Sequence, residues 1–480
     1  MRAELLISVY SLVKKSLPVA ALLFSFAGGT AHAQRALTLE EALRLARDNN
    51  RDLKVARESL AQVQVTVEQV RAQLLPVVAA QGRYTYNYPA AELDPKTFTA
   101  ATDGLAQVIQ GTSGNAIQNA ALQQFRDQLA VQAGTPITIV KQNQLDFTAT
   151  ASVPLLVPGA YPAYQAALAQ KRAVQANIDV SETQILLGAA TGFYGAAGAD
   201  ELVAARKHAI DVYTETVKNA KARLEAGVVN RVEVTRAELA LNRARQQLEE
   251  AVDMRSRAYR ALRNVILLDE QFAVQPAYHT VHDASLVQLQ RDALTLRPEV
   301  RAYTLTIEAT DKQTLSGWLR WLPSLGAFGR FAAGNYSGFS GKQWSFAAGV
   351  QADWVLYDGG IRDAARHLAA SQKRQSELQL AKFRDTINTD LAQAADELKT
   401  KANALQTAEI SVLLSKETLS LVRAQHDAGT ATQLDLLQAQ DALTAAETGV
   451  AQAHFDLALG ELQLQRLAGT FPGKRSSDGR

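Results

Sequence analysis

Two carboxylates occupy matched places in this chain. Glu233 lies six residues after Gly227, and Asp435 lies six residues after Gly429. Each stands at the fourth position of a polar box, Asn230-x-x-Glu233 and Thr432-x-x-Asp435. That spacing lets a side-chain oxygen cap a helix start while the acid reaches back to the capping residue's amide. Elsewhere the signals are weaker. His279-x-x-His282 has a metal-pair spacing but no third ligand in sequence, which favours two surface histidines. The chain has no cysteine, so disulfides, thiolate metal sites and cysteine catalysis are excluded. Met254 is the lone methionine outside the first residue, and nothing suggests a soft-metal relay. No Ser/His/Asp set, phosphate loop or paired-carboxylate site has supporting context. The residues themselves offer no catalytic set, and no cofactor is expected.

The elements that must position these residues are written twice. Leu75-Pro76, five residues, then Gly82-Arg83-Tyr84 returns as Leu322-Pro323, five residues, then Gly329-Arg330-Phe331. Ala226-Gly227 returns as Ala428-Gly429, and Glu233-Val234 as Asp435-Leu436. An interval of roughly 200 residues is too long for a solenoid repeat and marks a duplicated domain. The N-terminus reads as a secretory leader: Lys14 and Lys15, an apolar run over 17–27, then Ala31-His32-Ala33. Its apolar run is too short to span a bilayer. Arg2, Glu4, Lys14 and Lys15 all fall within residues 1–33, so the formal charge of +2 lies in the leader and the mature chain is near neutral. Nothing in that balance argues for nucleic acid. We expect a leader at 1–33, a first repeat at 34–266, a connection at 267–290, a second repeat at 291–469 and a loose tail at 470–480.

Long helices and short strands are both legible. Residues 361–428 hold neither proline nor glycine, enough for a helix of roughly 100 Å. A similar run follows Pro162 and ends at Ala226. It contains Gly188, Gly192, Gly195 and Gly198, which we read as places of close helix approach. After each Ala-Gly turn comes a seven-residue rhythm. Leu436, Leu443, Val450, Leu457 and Leu464 form one stripe, with Ala439, Ala446, Ala453 and Gly460 beside it. Val234, Leu241, Leu248, Arg255 and Leu262 repeat it, with Ala237, Ala244, Ala251 and Ala258. This is an a/d seam, so each Ala-Gly turn is the tip of an antiparallel helical hairpin, with Gly227 and Gly429 ending the incoming helices.

Strands are expected over 145–155, 344–355 and around Tyr84, Tyr86 and Tyr88. Each puts apolar residues on one face and polar ones on the other, ending in aromatics. That is the pattern of a transmembrane barrel, or of a half-buried soluble sheet. The fourth candidate, 325–336, alternates poorly. Four strands cannot close a barrel, and open edges are not tolerated in lipid. Membrane-spanning strands therefore require oligomerisation: two chains would give eight strands, and three would give twelve with room for a lumen.

These residues together resemble the TolC family of outer-membrane efflux proteins. The matching features are the duplicated Leu-Pro strand starts, Arg297-Pro298-Glu299-Val300, Leu356-Tyr357-Asp358-Gly359-Gly360, its counterpart Pro154-Leu155-Leu156 with Pro158-Gly159, and the two tip signatures. The resemblance implies an α+β membrane protein: a homotrimer whose four strands per chain build a twelve-stranded barrel, continued by a helical tunnel across the periplasm. It implies a passive exit duct in the outer membrane of a Gram-negative bacterium, contacting outer-membrane lipid. Its partners would be a periplasmic adaptor and an inner-membrane pump of RND or ABC type. It also implies that Arg231, Glu233, Asp435 and Gln438 face a periplasmic aperture. Ala226, Gly227, Val228, Ala428, Gly429 and Thr430 would contact the adaptor. Departures are present: alanine replaces the family's valine before each tip glycine, Gln438 stands where a second aspartate is frequent, and Ala431 replaces an arginine. The alternatives are the outer component of a type I protein-secretion system and, in a different class, a periplasmic coiled-coil adaptor. A soluble structural coiled coil leaves the strands unexplained.

Overall fold

The computed structural model describes residues 35–93, 137–278, 285–335 and 342–472, with a few helical positions between 103 and 127. The leader, His279, His282, most of the long connection after Pro89 and the last eight residues lie outside the described residues. The chain begins with β1 (Arg35–Leu37), α1 (Leu39–Asn49) and α2 (Arg51–Ala72). Asn50 divides the two helices, its side chain accepting from the amides of Asp52 and Leu53. Pro76 then releases the chain into β2 (Val77–Tyr86), because the residue before a proline is steered out of the helical region. Pro323 does the same before β7 (Ser324–Gly334). Between them run β3 (Ala91–Leu93), β4 (Ile137–Val140), β5 (Asn143–Leu156), α3 (Ala160–Glu225), α4 (Arg231–Ile266), β6 (Phe272–Val274), α5 (Leu286–Leu296) and α6 (Pro298–Leu319). After β7 come β8 (Trp344–Asp353), α7 (Ile361–Asp427) and α8 (Gln433–Ala468).

One antiparallel sheet runs β2-β5-β7-β8, so the two halves of the duplication pair through β5 and β7. Register sets the faces. Tyr84 opposes Leu145, Phe147 opposes Ala333, Ala149 opposes Phe331, and Phe331 opposes Phe346. One apolar face therefore crosses all four strands, ending in Trp344 at one corner. The other face carries Arg83 paired with Asp146 at 3.2 Å, together with Thr148, Thr150 and Ser152. The poor alternation of β7 has its cause on the neighbouring strand: Phe328 sits on the polar face and lies over Gly349 of β8, where an added Cβ would come within 3.1 Å of its ring. Among the described residues no helix is long and apolar enough to cross a membrane.

The helices build two hairpins, α3–α4 and α7–α8, with α8 packed on α3. At 66 and 67 residues, α3 and α7 are each about 100 Å long. Gly192 approaches Leu262 and Gly198 approaches Phe455, each at 3.5 Å for an added Cβ, so these two serve close helix contact in an unbroken α3, whereas Gly188 meets nothing within 4 Å. The expected seam is buried at Val234, Ala237, Leu241, Ala244, Leu436, Ala439 and Leu443. Arg255 interrupts the stripe and is accommodated by an ion pair with Asp200 on α3 and by the Tyr259 ring beneath it, 4.8 Å away.

Around the middle of α3, where α4 and α8 end, an apolar cluster gathers Leu37, Leu43, Leu186, Phe193, Leu262, Ile266, Phe272 and Leu462. The connection over 267–290 carries β6, which pairs with β1 in parallel, and the start of α5 at Leu286. The tail is anchored at its start, since Phe471 is buried in that same cluster.

Candidate functional site

The tips are built from two matching caps. Gly227 takes φ 71° and Gly429 φ 77°, the left-handed region that favours glycine. The Gly227 amide donates to the Leu224 carbonyl at 3.0 Å, and the Val228 amide to Arg223 at 2.9 Å. At the second tip Gly429 donates to His426 at 3.0 Å and Thr430 to Gln425 at 2.9 Å. Both are Schellman motifs, which satisfy the orphan carbonyls at a helix end and reverse the chain in few residues. Ala226 and Ala428 precede the glycines in ordinary helical geometry.

The outgoing helices start differently. At α8 the capping box is complete: the Asp435 amide donates to the Thr432 hydroxyl at 3.2 Å, and the Thr432 amide donates to the Asp435 carboxylate at 2.8 Å. The Thr432 hydroxyl also donates to that carboxylate at 2.7 Å. These bonds, the hydroxyl's first, hold the Asp435 carboxyl below the usual carboxylate range. At α4 only half of the box forms. The Asn230 side chain accepts from the Glu233 amide at 3.3 Å. Among the described residues of one protomer, no ion pair joins Arg231 to Glu233 or to Asp435. Arg231, Asp435 and Gln438 are exposed and Glu233 is half-buried.

What joins the two tips was not visible in the sequence. His426, near the end of α7, is 6% exposed, and its ring nitrogens lie 3.1 and 3.2 Å from Nη1 of Arg223 on α3. The same guanidinium donates to the His426 carbonyl at 3.3 Å. One turn or more above, the Gln440 amide donates to the buried Thr216 hydroxyl at 2.7 Å, and the Tyr213 hydroxyl donates to Asp441. Burial, reinforced by that carboxylate, pushes the Tyr213 hydroxyl pKa up. Outer ion pairs Lys221–Glu238 at 2.8 Å and Arg423–Glu215 at 3.1 Å flank the set. The signal available in sequence was position alone, since Arg223 and His426 each fall within four residues of a tip glycine.

The chain as a whole is similar to known proteins. The family model described as outer membrane efflux protein matches residues 42–266 and 289–470. Outer membrane protein TolC of Vibrio cholerae is 26% identical over 329 residues, spanning 63% of this chain and 72% of that protein. Alkaline protease secretion protein AprF of Pseudomonas aeruginosa is 22% identical over 332 residues, spanning 66% and 68%. The CmeC outer membrane channel of Campylobacter jejuni superposes with a TM-score of 0.70 at 17% identity, covering 90% of this chain and 86% of that one. With both halves of the duplication matched, the chain belongs to the outer membrane efflux protein family.

Proposed function

We propose that this chain is one third of a passive outer-membrane exit duct in a tripartite efflux system. The observation that carries the reading is the four-stranded sheet, apolar across one face, whose outer strands β2 and β8 each pair on one side only among the described residues. Unpaired strand edges cannot face lipid, so copies of the chain must supply the missing neighbours. Three copies give twelve strands, wide enough for a lumen. Helices of about 100 Å then extend that lumen well beyond the membrane. The repeats 34–266 and 291–469 are the two structural units of each subunit. A duct has no source of energy, so an inner-membrane pump of RND or ABC type must drive transport through a periplasmic adaptor. The adaptor would meet the turns at Ala226, Gly227, Val228, Ala428, Gly429 and Thr430. Arg231, Glu233, Asp435 and Gln438 would ring the mouth between them.

The mass of the detergent-extracted protein tests the assembly: a trimer is expected, and a stable monomer would overturn it. The likeness to a protease secretion protein favours a second reading, the outer component of a protein-secretion system. Deleting the gene separates the two. Lost resistance to small toxic compounds supports efflux, whereas loss of one exported protein with unchanged resistance supports secretion.

A further inference from the structure

Three of the four tryptophans of this chain gather where the sheet meets the helices. Trp318 lies in the last turn of α6, Trp321 just beyond it, and Trp354 follows β8; they are 55%, 40% and 62% exposed. The Trp354 indole donates to the Trp321 carbonyl at 3.1 Å, fastening strand end to helix end. The fourth, Trp344, lies ten residues earlier on the same apolar face of β8. Ten strand residues span roughly 33 Å, or about 25 Å of height at the tilt of a membrane barrel. Trp344 and Trp354 thus mark the two interfaces of the apolar band, and the Trp318–Trp321–Trp354 cluster marks the periplasmic one.

Arginines lie directly on this cluster. The Arg362 guanidinium sits 4.3 Å over the Trp321 ring, and that of Arg366 sits 4.6 Å over Trp318. Arg362 donates to Asp358 at 2.8 Å and to the Arg320 carbonyl at 3.3 Å. Its Nη2 is buried with no hydrogen-bond partner. Arg366 is paired with Asp363 at 2.9 Å. The Arg320 stem passes over Gly159, where an added Cβ would come within 2.8 Å of it. The Arg320 head is exposed and has no partner among the described residues. Three arginines against Asp358 and Asp363 leave one positive charge uncompensated, beside an orphaned guanidinium N–H.

We propose that this patch is a binding site for the headgroup of an anionic glycerophospholipid in the periplasmic leaflet. Its phosphate would accept from the exposed Arg320 guanidinium, beside the Trp-stacked guanidiniums of Arg362 and Arg366, while its acyl chains lie along the apolar face of β7 and β8. Charge complementarity and continuity with the lipid-facing sheet select this occupant. Phosphate accepts from guanidinium donors in fixed geometry, and an indole platform holds the guanidinium flat. The proposal rests on the sheet lying in the outer membrane.

The test uses the full-length protein in detergent, titrated by native mass spectrometry with dioleoyl phosphatidylglycerol, dioleoyl phosphatidylcholine and lipid A. Wild type should retain phosphatidylglycerol in preference to phosphatidylcholine. Arg320→Gln should weaken phosphatidylglycerol binding about fivefold, the effect of one arginine at an anionic surface, with phosphatidylcholine unchanged. Arg320→Lys should restore most of it. Arg301→Gln, at an exposed arginine elsewhere on α6, should bind as wild type. Unchanged binding in Arg320→Gln, an equal loss in Arg301→Gln, or displacement of phosphatidylglycerol by lipid A each overturns the site. Channel conductance in planar bilayers separates the two readings. A conducting protein with unaltered Arg320→Gln binding removes only the headgroup site, and a protein that never inserts removes the duct.

Discussion

Replacing Gly429 by valine perturbs the second tip in one defined way. An added Cβ there meets nothing within 4 Å, so crowding contributes no cost. The cost is conformational: φ stands at 77°, and an L-residue in the left-handed region loses about 1–2 kcal/mol, with β-branched valine at the upper end. If the backbone escapes that strain, it loses the amide bonds to His426 and Gln425, each about 0.5–1.5 kcal/mol. Either route confines the loss to the turn, because the cluster around Phe193 lies far along the hairpin from it. Melting temperature should stay near wild type while amide exchange accelerates over 425–435. Susceptibility to pump substrates should rise at equal protein abundance. Gly429→Asn should be nearly silent, because asparagine tolerates this region. Gly469 supplies the contrast. It has φ 79°, but an added Cβ would meet the Arg297 amide at 3.0 Å, so Gly469→Ala should lower the melting temperature itself. If Gly429→Val exchanges and confers resistance as Gly429→Asn does, the reasoning about the tip is refuted.

Phe193→Ala removes a fully buried ring packed edge-on against Tyr194 at 5.4 Å, and should cost about 3–5 kcal/mol, read as a large fall in melting temperature. At the mouth, Asp435→Asn and Asp435→Ala should both raise single-channel conductance above Gln438→Ala, with a matching rise in Arg231→Ala. Equal conductance in all variants would leave Asp435 the N3 residue of the Thr432 capping box and nothing more. The depressed Asp435 pKa also fixes a pH dependence. The capped start of α8 is fully stabilised above the carboxyl's ordinary value of 3.8 and loses that stabilisation as pH falls through its lower folded value. Tip exchange of wild type and Asp435→Asn should differ at neutral pH, with the difference disappearing on acidification through that range.

Much of this architecture was legible because its signals are local. The seven-residue stripes at Leu436, Leu443, Val234 and Leu241 report burial by period alone, and Gly429 with Thr432-x-x-Asp435 announces one helix end and the next helix start. Alternation in β5 and β8 fixed their faces, since successive side chains of a strand point to opposite sides. β7 resisted because Phe328 breaks that rule, and the reason lies on another strand, in the space that Gly349 leaves. Pairing of β5 with β7 joins the two repeats over a long chain separation, and no local pattern encodes a register set by distant partners. Likewise Thr216, Gln440 and the Arg223–His426 contact read as solvated polar residues, yet they are buried between hairpins. A polar side chain enters a helix interface only when its partner waits on the facing helix. That partner is fixed by how α3 and α8 cross, so the elements and their ends belong to the sequence, and the contacts that lock the tips belong to the tertiary structure.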